Sequence, residues 1–212
     1  MLSTCTETKV KTFILKSAPK RCELDPIPTS LLFECLDEAL PAITHVINSS
    51  LTSGVLPFVY NISVVKPLLK KPSLDQNDLK SYRPVSNLSF ISKIIEKIVL
   101  SQISDYLNKN DIFSHIQSAY RPKHSTETVL LKITNDHLLA LDRGQVSILT
   151  LLDLSVAFDT INHNILLRRL QLSFGFDGVA LSWFRSYLTG RQQIAVVSGF
   201  RSAPTLVEDG VP

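Results

Sequence analysis

Hydrophobic and polar positions alternate in distinct rhythms along this chain, and the rhythms predict its elements. Thr29 or Ser30 can cap a helix over Leu31 to Leu40, and Pro41 fits the first turn of a second helix that runs to Ser53 and stops at Gly54. Before them, residues 1–26 show no sustained period and end in Asp25-Pro26-Ile27-Pro28, which reads as a tail and linker. From Ile62 to Leu69 the pattern turns β-rich, and the polar Lys70–Lys80 stretch after it suggests a basic hairpin. The clearest helix follows, from Ser89 as cap to Asn108, with Ile91, Ile94, Ile95, Ile98, Val99 and Ile103 in a three-four rhythm. A second long helix is predicted from Ser125 to Gly144, with Val129, Leu130, Ile133 and Leu141 toward the core.

Ser147 to Leu152 is a continuous apolar run too short for a helix and suited to a strand buried on both faces, delivering Asp153 at its end. Asn162 or Asn164 can cap a helix to Leu172, with Gly175 as its stop, and Asp177 opens another through Trp183 to Leu188. Trp183 and Phe184 read as core residues. Gln192–Ser198 and Pro204–Val207 then form two short strands. The whole is a mixed α/β or α+β chain.

Composition narrows the class. Of 212 residues, 44% are hydrophobic and 19% charged, with 7 Gly, 11 Pro and no repeat, which excludes collagenous, solenoid and disordered chains. No apolar run approaches the roughly 18 residues that span a bilayer. The short Phe13–Leu15 stretch is no signal-peptide core, so an intracellular protein without a membrane partner is expected. Cys5, Cys22 and Cys35 form no C-x-x-C pair and are expected to stay reduced, without a disulfide partner. The net charge of +3 is unevenly placed: between Lys66 and Lys123 ten Lys/Arg stand against five Asp/Glu. That excess is a modest phosphate-facing signal, and a solvated helix face looks the same.

A carboxylate fixed at a strand end suits divalent-metal chemistry, and Asp159 offers a second one six residues after Asp153. An Asp there is equally a turn or cap residue. Lys66, Lys70, Arg83 and Arg121 could neutralise a triphosphate or a nucleic-acid backbone, though each alone reads as a surface charge.

Their order along the chain decides between these readings. Ser81-Tyr82-Arg83-Pro84-Val85-Ser86-Asn87-Leu88, the helix carrying Lys93 and Glu96-Lys97, Gln117-Ser118-Ala119-Tyr120-Arg121 with His124-Ser125-Thr126, Leu152-Asp153-Leu154-Ser155-Val156-Ala157-Phe158-Asp159-Thr160, and Gly210-Val211-Pro212 follow one another. This series resembles the successive motifs of the reverse transcriptase domain of non-LTR (LINE-type) retrotransposons. The resemblance implies an α+β fold: the fingers and partial palm of a right-hand polymerase over residues 55–212, preceded by a helical segment at 27–54 and the tail at 1–26.

It also implies roles. Asp153 resembles the first magnesium-binding aspartate of the palm, in an enzyme that adds dNTPs to a DNA primer on an RNA template. Phe158 looks like the gate beneath the sugar of the incoming nucleotide. Lys66 and Arg83 resemble the residues that hold its triphosphate, Arg121 lends support to the template or nucleotide site, and Asp159 organises the turn after the catalytic strand. His163 and His124 read equally well as hydrogen-bonded structural histidines. Nuclear or cytoplasmic ribonucleoprotein residence follows from the family alone.

The pattern breaks at Pro212, where a polymerase of this type continues to an aromatic-x-Asp-Asp motif; no Asp-Asp pair occurs in the sequence. The expectation is a fragment that binds Mg2+ weakly or not at all, is inactive alone, and has an open edge near residues 145–160. The alternative is a non-catalytic RNA- or RNA/DNA-binding remnant.

Overall fold

Thr6 opens the first helix, α1 (Glu7–Leu15), its side-chain oxygen accepting from the Lys9 N–H, and Val10 and Ile14 are buried one turn apart. The computed structural model describes residues 2–20, 22–154 and 156–211. A helix thus stands inside the period-free first 26 residues: two apolar positions are enough to anchor it but too few to make a rhythm. α2 (Thr29–Glu34) and α3 (Leu36–Ser53) follow. The break between them falls at Cys35, not at Pro41, which sits within α3. Pro41, the sixth residue of α3, lacks the N–H that would bond the Asp37 carbonyl, so the helix runs through it without that ladder bond. Gly54 ends α3 with φ +70; a Cβ there would lie 2.8 Å from the Val179 oxygen, so only glycine fits.

α4 (Phe90–Lys109) carries the predicted apolar stripe, with Ile94, Ile95 and Ile98 fully buried, each contributing about 1.5–3 kcal/mol of transfer free energy. Its first N–H groups are satisfied by Asp25, whose Oδ1 accepts from Phe90 N at 2.7 Å, and by Ser89, whose hydroxyl accepts from Ser92 N at 3.3 Å. α5 (Thr126–Asp142), α6 (His163–Phe174) and α7 (Gly178–Leu188) complete the α-helices among the described residues. Val10, Ile14, Ile47, Leu51, Ile95 and Trp183 belong to one core built from α1, α3, α4 and α7. Trp183 is buried as expected, donating to the Ser50 hydroxyl at 3.0 Å and stacking on Tyr187.

A mixed sheet follows the helices. β1 (Ile62–Leu69) and β2 (Tyr82–Asn87) are antiparallel, β3 (Gln192–Val197) runs parallel to β1, and β4 (Phe200–Arg201) and β5 (Thr205–Leu206) both pair with β3. β3 accompanies β1 only through Val65, so Lys66 to Leu69 extend with β2 beyond it as a two-stranded hairpin. There Pro67 faces Pro84. Lys70 N bonds the Ser81 oxygen in the same register, which makes 70/81 a bonded rung and 67/84 a rung whose main-chain nitrogens turn away from the pair.

The chain divides into two units, Met1–Tyr106 with Phe158–Pro212, and Leu107–Ala157. Helices α1 to α3, α6 and α7, the sheet, and most of α4 belong to the first. In the second, Ser125 caps α5 through a reciprocal capping box with Thr128, as its position predicts. Two expectations are corrected here. No residue of α5 is buried, Leu130 and Leu141 included. The Ser147–Leu152 run forms no strand, and its large apolar side chains are exposed. A strand needs a neighbour for its N–H and C=O groups, and none of the described strands pairs with this run. The described residues are a mixed α+β structure.

Candidate functional site

Lys66 and Arg83 come from strands that sequence reading joined only loosely, and the register puts them on one face. Val64, Lys66 and Leu68 of β1 stand opposite Asn87, Val85 and Arg83 of β2, so Lys66 and Arg83 are diagonal neighbours across the hairpin. Both residues are exposed. Lys70 folds its ammonium back onto the Lys80 carbonyl at 2.7 Å, and the Tyr82 hydroxyl donates to the Gln76 carbonyl at 2.9 Å, which closes the loop behind them. Arg83 has no ion-pair partner among the described residues. Lys66 has one: its ammonium lies 2.6 Å from Glu23 Oε1, while Arg201 of β4 holds the other oxygen of the same carboxylate. Between two cations the Glu23 carboxyl is held down from its usual 4.5 to about 2, chiefly by the hydrogen bonds from Lys66 and Arg201.

Phe158 and Asp159 are fixed by main chain rather than by side chain. The Phe158 oxygen accepts from Val211 N at 2.9 Å, and Gly210 N donates to the Ile161 oxygen at 2.8 Å. Gly210 has φ +89, and a Cβ on it would meet Asp159 Cα and O at 3.0 Å, so this crossing requires glycine. Asn162 caps α6 by accepting from Asn164 N and Ile165 N, and its amide donates to Asp209 Oδ1 at 3.3 Å. His163 is buried against the Gly210 carbonyl, 2.6 Å from Nε2. The motif strings around Asp159 and Gly210, far apart in sequence, are thereby brought together. The Phe158 ring itself is exposed. Ser155 and Pro212 of those strings lie outside the described residues.

In the second unit Arg121 donates through one guanidinium nitrogen to the Ser114 and Gln117 carbonyls, at 3.1 and 3.3 Å, and lies 5.3 Å over the Phe113 ring. It organises its own loop. His124 faces the Pro122 carbonyl at 3.0 Å. Asp153 is exposed in a stretch without regular secondary structure, and Val156, in the turn over residues 156–160, adopts φ +48, a conformation β-branched residues avoid. No group of three or more His, Cys, Asp or Glu able to hold a metal ion occurs among the described residues. One exposed carboxylate is a single hard-oxygen donor and does not make a site for a pair of magnesium ions.

Sequence reading missed two groupings. Glu23 and Arg201 gave no signal, lying in an assumed linker and in a two-residue strand. The second is partly buried: the Tyr187 hydroxyl donates to Glu96 Oε1 at 2.8 Å, and the buried Arg191 donates to the Tyr187 carbonyl while its guanidinium covers the Tyr187 ring. Burial pushes the Glu96 carboxyl and the Tyr187 phenol up and the Arg191 guanidinium down. This network ties α4 to α7 and to the residue preceding β3.

Residues 69–212 match the family described as reverse transcriptase (RNA-dependent DNA polymerase). Arg83, Arg121, Asp153, Phe158 and Asp159 fall inside that span and Lys66 just before it. The chain is 28% identical over its whole length to the RNA-directed DNA polymerase from mobile element jockey of Drosophila melanogaster, covering 23% of that protein. It is 27% identical over 96% of its length to the jockey polymerase of Drosophila funebris, and 25% identical over 96% to the probable RNA-directed DNA polymerase from transposon BS of Drosophila melanogaster, covering 22% of each. The chain thus spans about a fifth of the length of the curated relatives it matches. The resemblance to mobile-element reverse transcriptases read from the order of the motifs is borne out. With two-thirds of its length matched, this chain belongs to the reverse transcriptase (RNA-dependent DNA polymerase) family.

Proposed function

We propose that this chain is part of an RNA-directed DNA polymerase, in which residues 55–212 form the fingers and part of the palm and residues 27–54 precede them. The observation that carries this reading is the shared face of Lys66 and Arg83 on the hairpin that β1 and β2 build. Two cations at diagonal positions suit the negatively charged oxygens of a nucleoside triphosphate. The main-chain crossing of Phe158–Asp159 with Gly210–Val211 supports a second element of the site, with Phe158 exposed as a sugar gate and Asp159 in the supporting turn.

Asp153 is the carboxylate assigned to the metal in this polymerase, and Arg121 positions the loop ahead of α5. The chemistry is transfer of a nucleotidyl group: the primer 3′ oxygen bonds to the α-phosphorus and pyrophosphate leaves. The RNA template, DNA primer and dNTP are its proposed substrates, divalent magnesium its proposed cofactor, and an intracellular ribonucleoprotein its proposed setting. Among the described residues no helix is long and apolar enough to cross a membrane.

The test is primer extension by a longer protein of this family that contains these 212 residues. Asp153→Ala is expected to abolish extension while leaving primer-template binding nearly intact, and Phe158→Ala to relax the choice of dNTP over rNTP. Normal extension by Asp153→Ala would remove the assignment. The exposed Lys66 and Arg83 also suit a second reading of the 212-residue chain by itself, a non-catalytic RNA or RNA/DNA binder. That reading expects affinity that falls steeply with salt. Absence of binding at low salt would exclude it.

A further inference from the structure

Glu23 does not belong to the sheet whose cations it holds. It projects from the loop between α1 and α2, and that loop is built to present it. Asp25 Oδ2 accepts from Cys22 N at 3.1 Å, Asp25 Oδ1 accepts from the first N–H of α4, and the Thr29 hydroxyl reaches the Lys20 carbonyl at 3.4 Å. Cys22 is buried beside it. Opposite the loop, the pairings Val64 with Ile194 and Val196 with Arg201 place Lys66, two residues past Val64, on the same sheet face as Arg201. Arg83 continues that face across the hairpin.

Each carboxylate oxygen of Glu23 takes one cation, Oε1 from Lys66 and Oε2 from Arg201. Two oxygens on one centre, each met by a separate cationic donor, is also how a phosphate group is held. We propose that Lys66 and Arg201 form a phosphate site that Glu23 fills from within, and that a phosphate reaching the hairpin displaces this carboxylate. The inference rests on the preceding reading for Lys66 and adds Arg201 as a ligand and Glu23 as an internal competitor. A phosphate could come from the tail of a nucleoside triphosphate or from a nucleic-acid backbone. The tail is favoured: a terminal phosphate carries more charge than a backbone diester and competes better with a carboxylate for both cations. Displacement needs no refolding of the loop, because its anchors run through Asp25 and Thr29 and not through Glu23.

The experiment is calorimetric titration of the 212-residue chain at low salt with inorganic tripolyphosphate and, separately, with a single-stranded oligonucleotide bearing a 5′-hydroxyl. Glu23→Gln keeps the shape and removes the charge, and is expected to bind tripolyphosphate about five- to tenfold more tightly than the unaltered chain, the effect of lifting one unit charge a few ångströms away. Arg201→Gln is expected to weaken tripolyphosphate binding and to cancel most of the gain in the double variant. Affinity for the oligonucleotide is expected to change less than twofold. An unchanged affinity for tripolyphosphate in Glu23→Gln overturns the proposal, as does an Arg201→Gln variant that binds normally. A gain confined to the oligonucleotide overturns the assignment to a triphosphate tail.

Lys66→Ala separates this inference from the reading beneath it. If Lys66→Ala weakens tripolyphosphate binding while Glu23→Gln is neutral, only the internal competitor is lost. If Lys66→Ala has no effect, the nucleotide role of Lys66 falls as well. Should Glu23→Gln fail to fold, the unaltered chain still decides: the carboxyl carbon resonance of Glu23 is expected to move on addition of tripolyphosphate at neutral pH, and a stationary resonance overturns the proposal.

Discussion

His163 Nε2 lies 2.6 Å from the carbonyl oxygen of Gly210, across 47 residues of sequence. A carbonyl only accepts, so Nε2 carries the proton whatever the state of the other ring nitrogen. This bond, the Gly210 N–H on the Ile161 oxygen and the Val211 N–H on the Phe158 oxygen hold the start of α6 to the last described residues. The histidine is therefore a positioning residue for the backbone beneath Phe158 and Asp159.

Replacing His163 by Ala leaves a buried carbonyl without its donor, which costs about 1–3 kcal/mol. Urea denaturation of His163→Ala is expected to show that loss, and nitrogen NMR of the unaltered imidazole to show a protonated Nε2 at neutral pH. A ring protonated only at Nδ1 would contradict the contact.

Glycines at positive φ are expected to split into two groups. Gly54→Ala brings its Cβ within 2.8 Å of the Val179 oxygen and Gly210→Ala within 3.0 Å of Asp159, whereas Gly144→Ala meets nothing within 4 Å. Gly144→Ala should lose only the conformational term of about 1 kcal/mol, and the other two distinctly more. Equal urea midpoints for all three variants would show that these close approaches carry no weight.

Two glutamates impose opposite pH dependences. Glu23 titrates near 2 instead of 4.5, so its contribution to stability is present above 4.5 and is lost as pH falls toward 2. Glu96 is raised by burial, so its contribution is present below the ordinary carboxylate range and is lost as pH rises through its higher value. In urea midpoints measured from acid to neutral pH, Glu23→Gln is expected to flatten the acid limb. Glu96→Gln is expected to flatten the limb on the neutral side.

The 146–154 segment exposes Val146, Ile148, Leu151, Leu152 and Leu154 almost completely. Such a stretch binds apolar dyes and associates with itself. Ile148→Lys with Leu152→Lys is expected to lower dye binding and raise the soluble fraction on centrifugation. No change in either would mean that this run is covered in solution.

Elements of both units were legible in the sequence where their cues are local. The β-branched run from Ile62, the stripe of α4, the caps at Ser125 and Asn162 and the stop glycines Gly54 and Gly175 each depend on neighbours a few residues away. Ser147–Leu152 has a strand's composition, yet a strand exists only beside a partner, and a run of side chains does not name one. α5 shows the same limit: its leucines have the helical spacing, but spacing does not say what covers them. At the candidate site, the motif order pointed to Arg83, Phe158 and Asp159 and the basic strand before it to Lys66, while the partner of Lys66 lay beyond reach. Glu23 meets Arg201 across 178 residues of sequence, and only the folded sheet makes them neighbours.

The facing prolines in the hairpin settle how it can grow. At that rung the nitrogens of Pro67 and Pro84 point outward, one toward the flank that β3 leaves free and one toward the open side of β2, and neither carries a hydrogen. A strand arriving from another molecule would find a missing donor on either flank, so the projecting cationic tip resists recruitment into a wider sheet. Residues added at the turn would carry unprotected N–H groups beyond the proline rung, whereas widening the hairpin at that rung would first require replacing a proline.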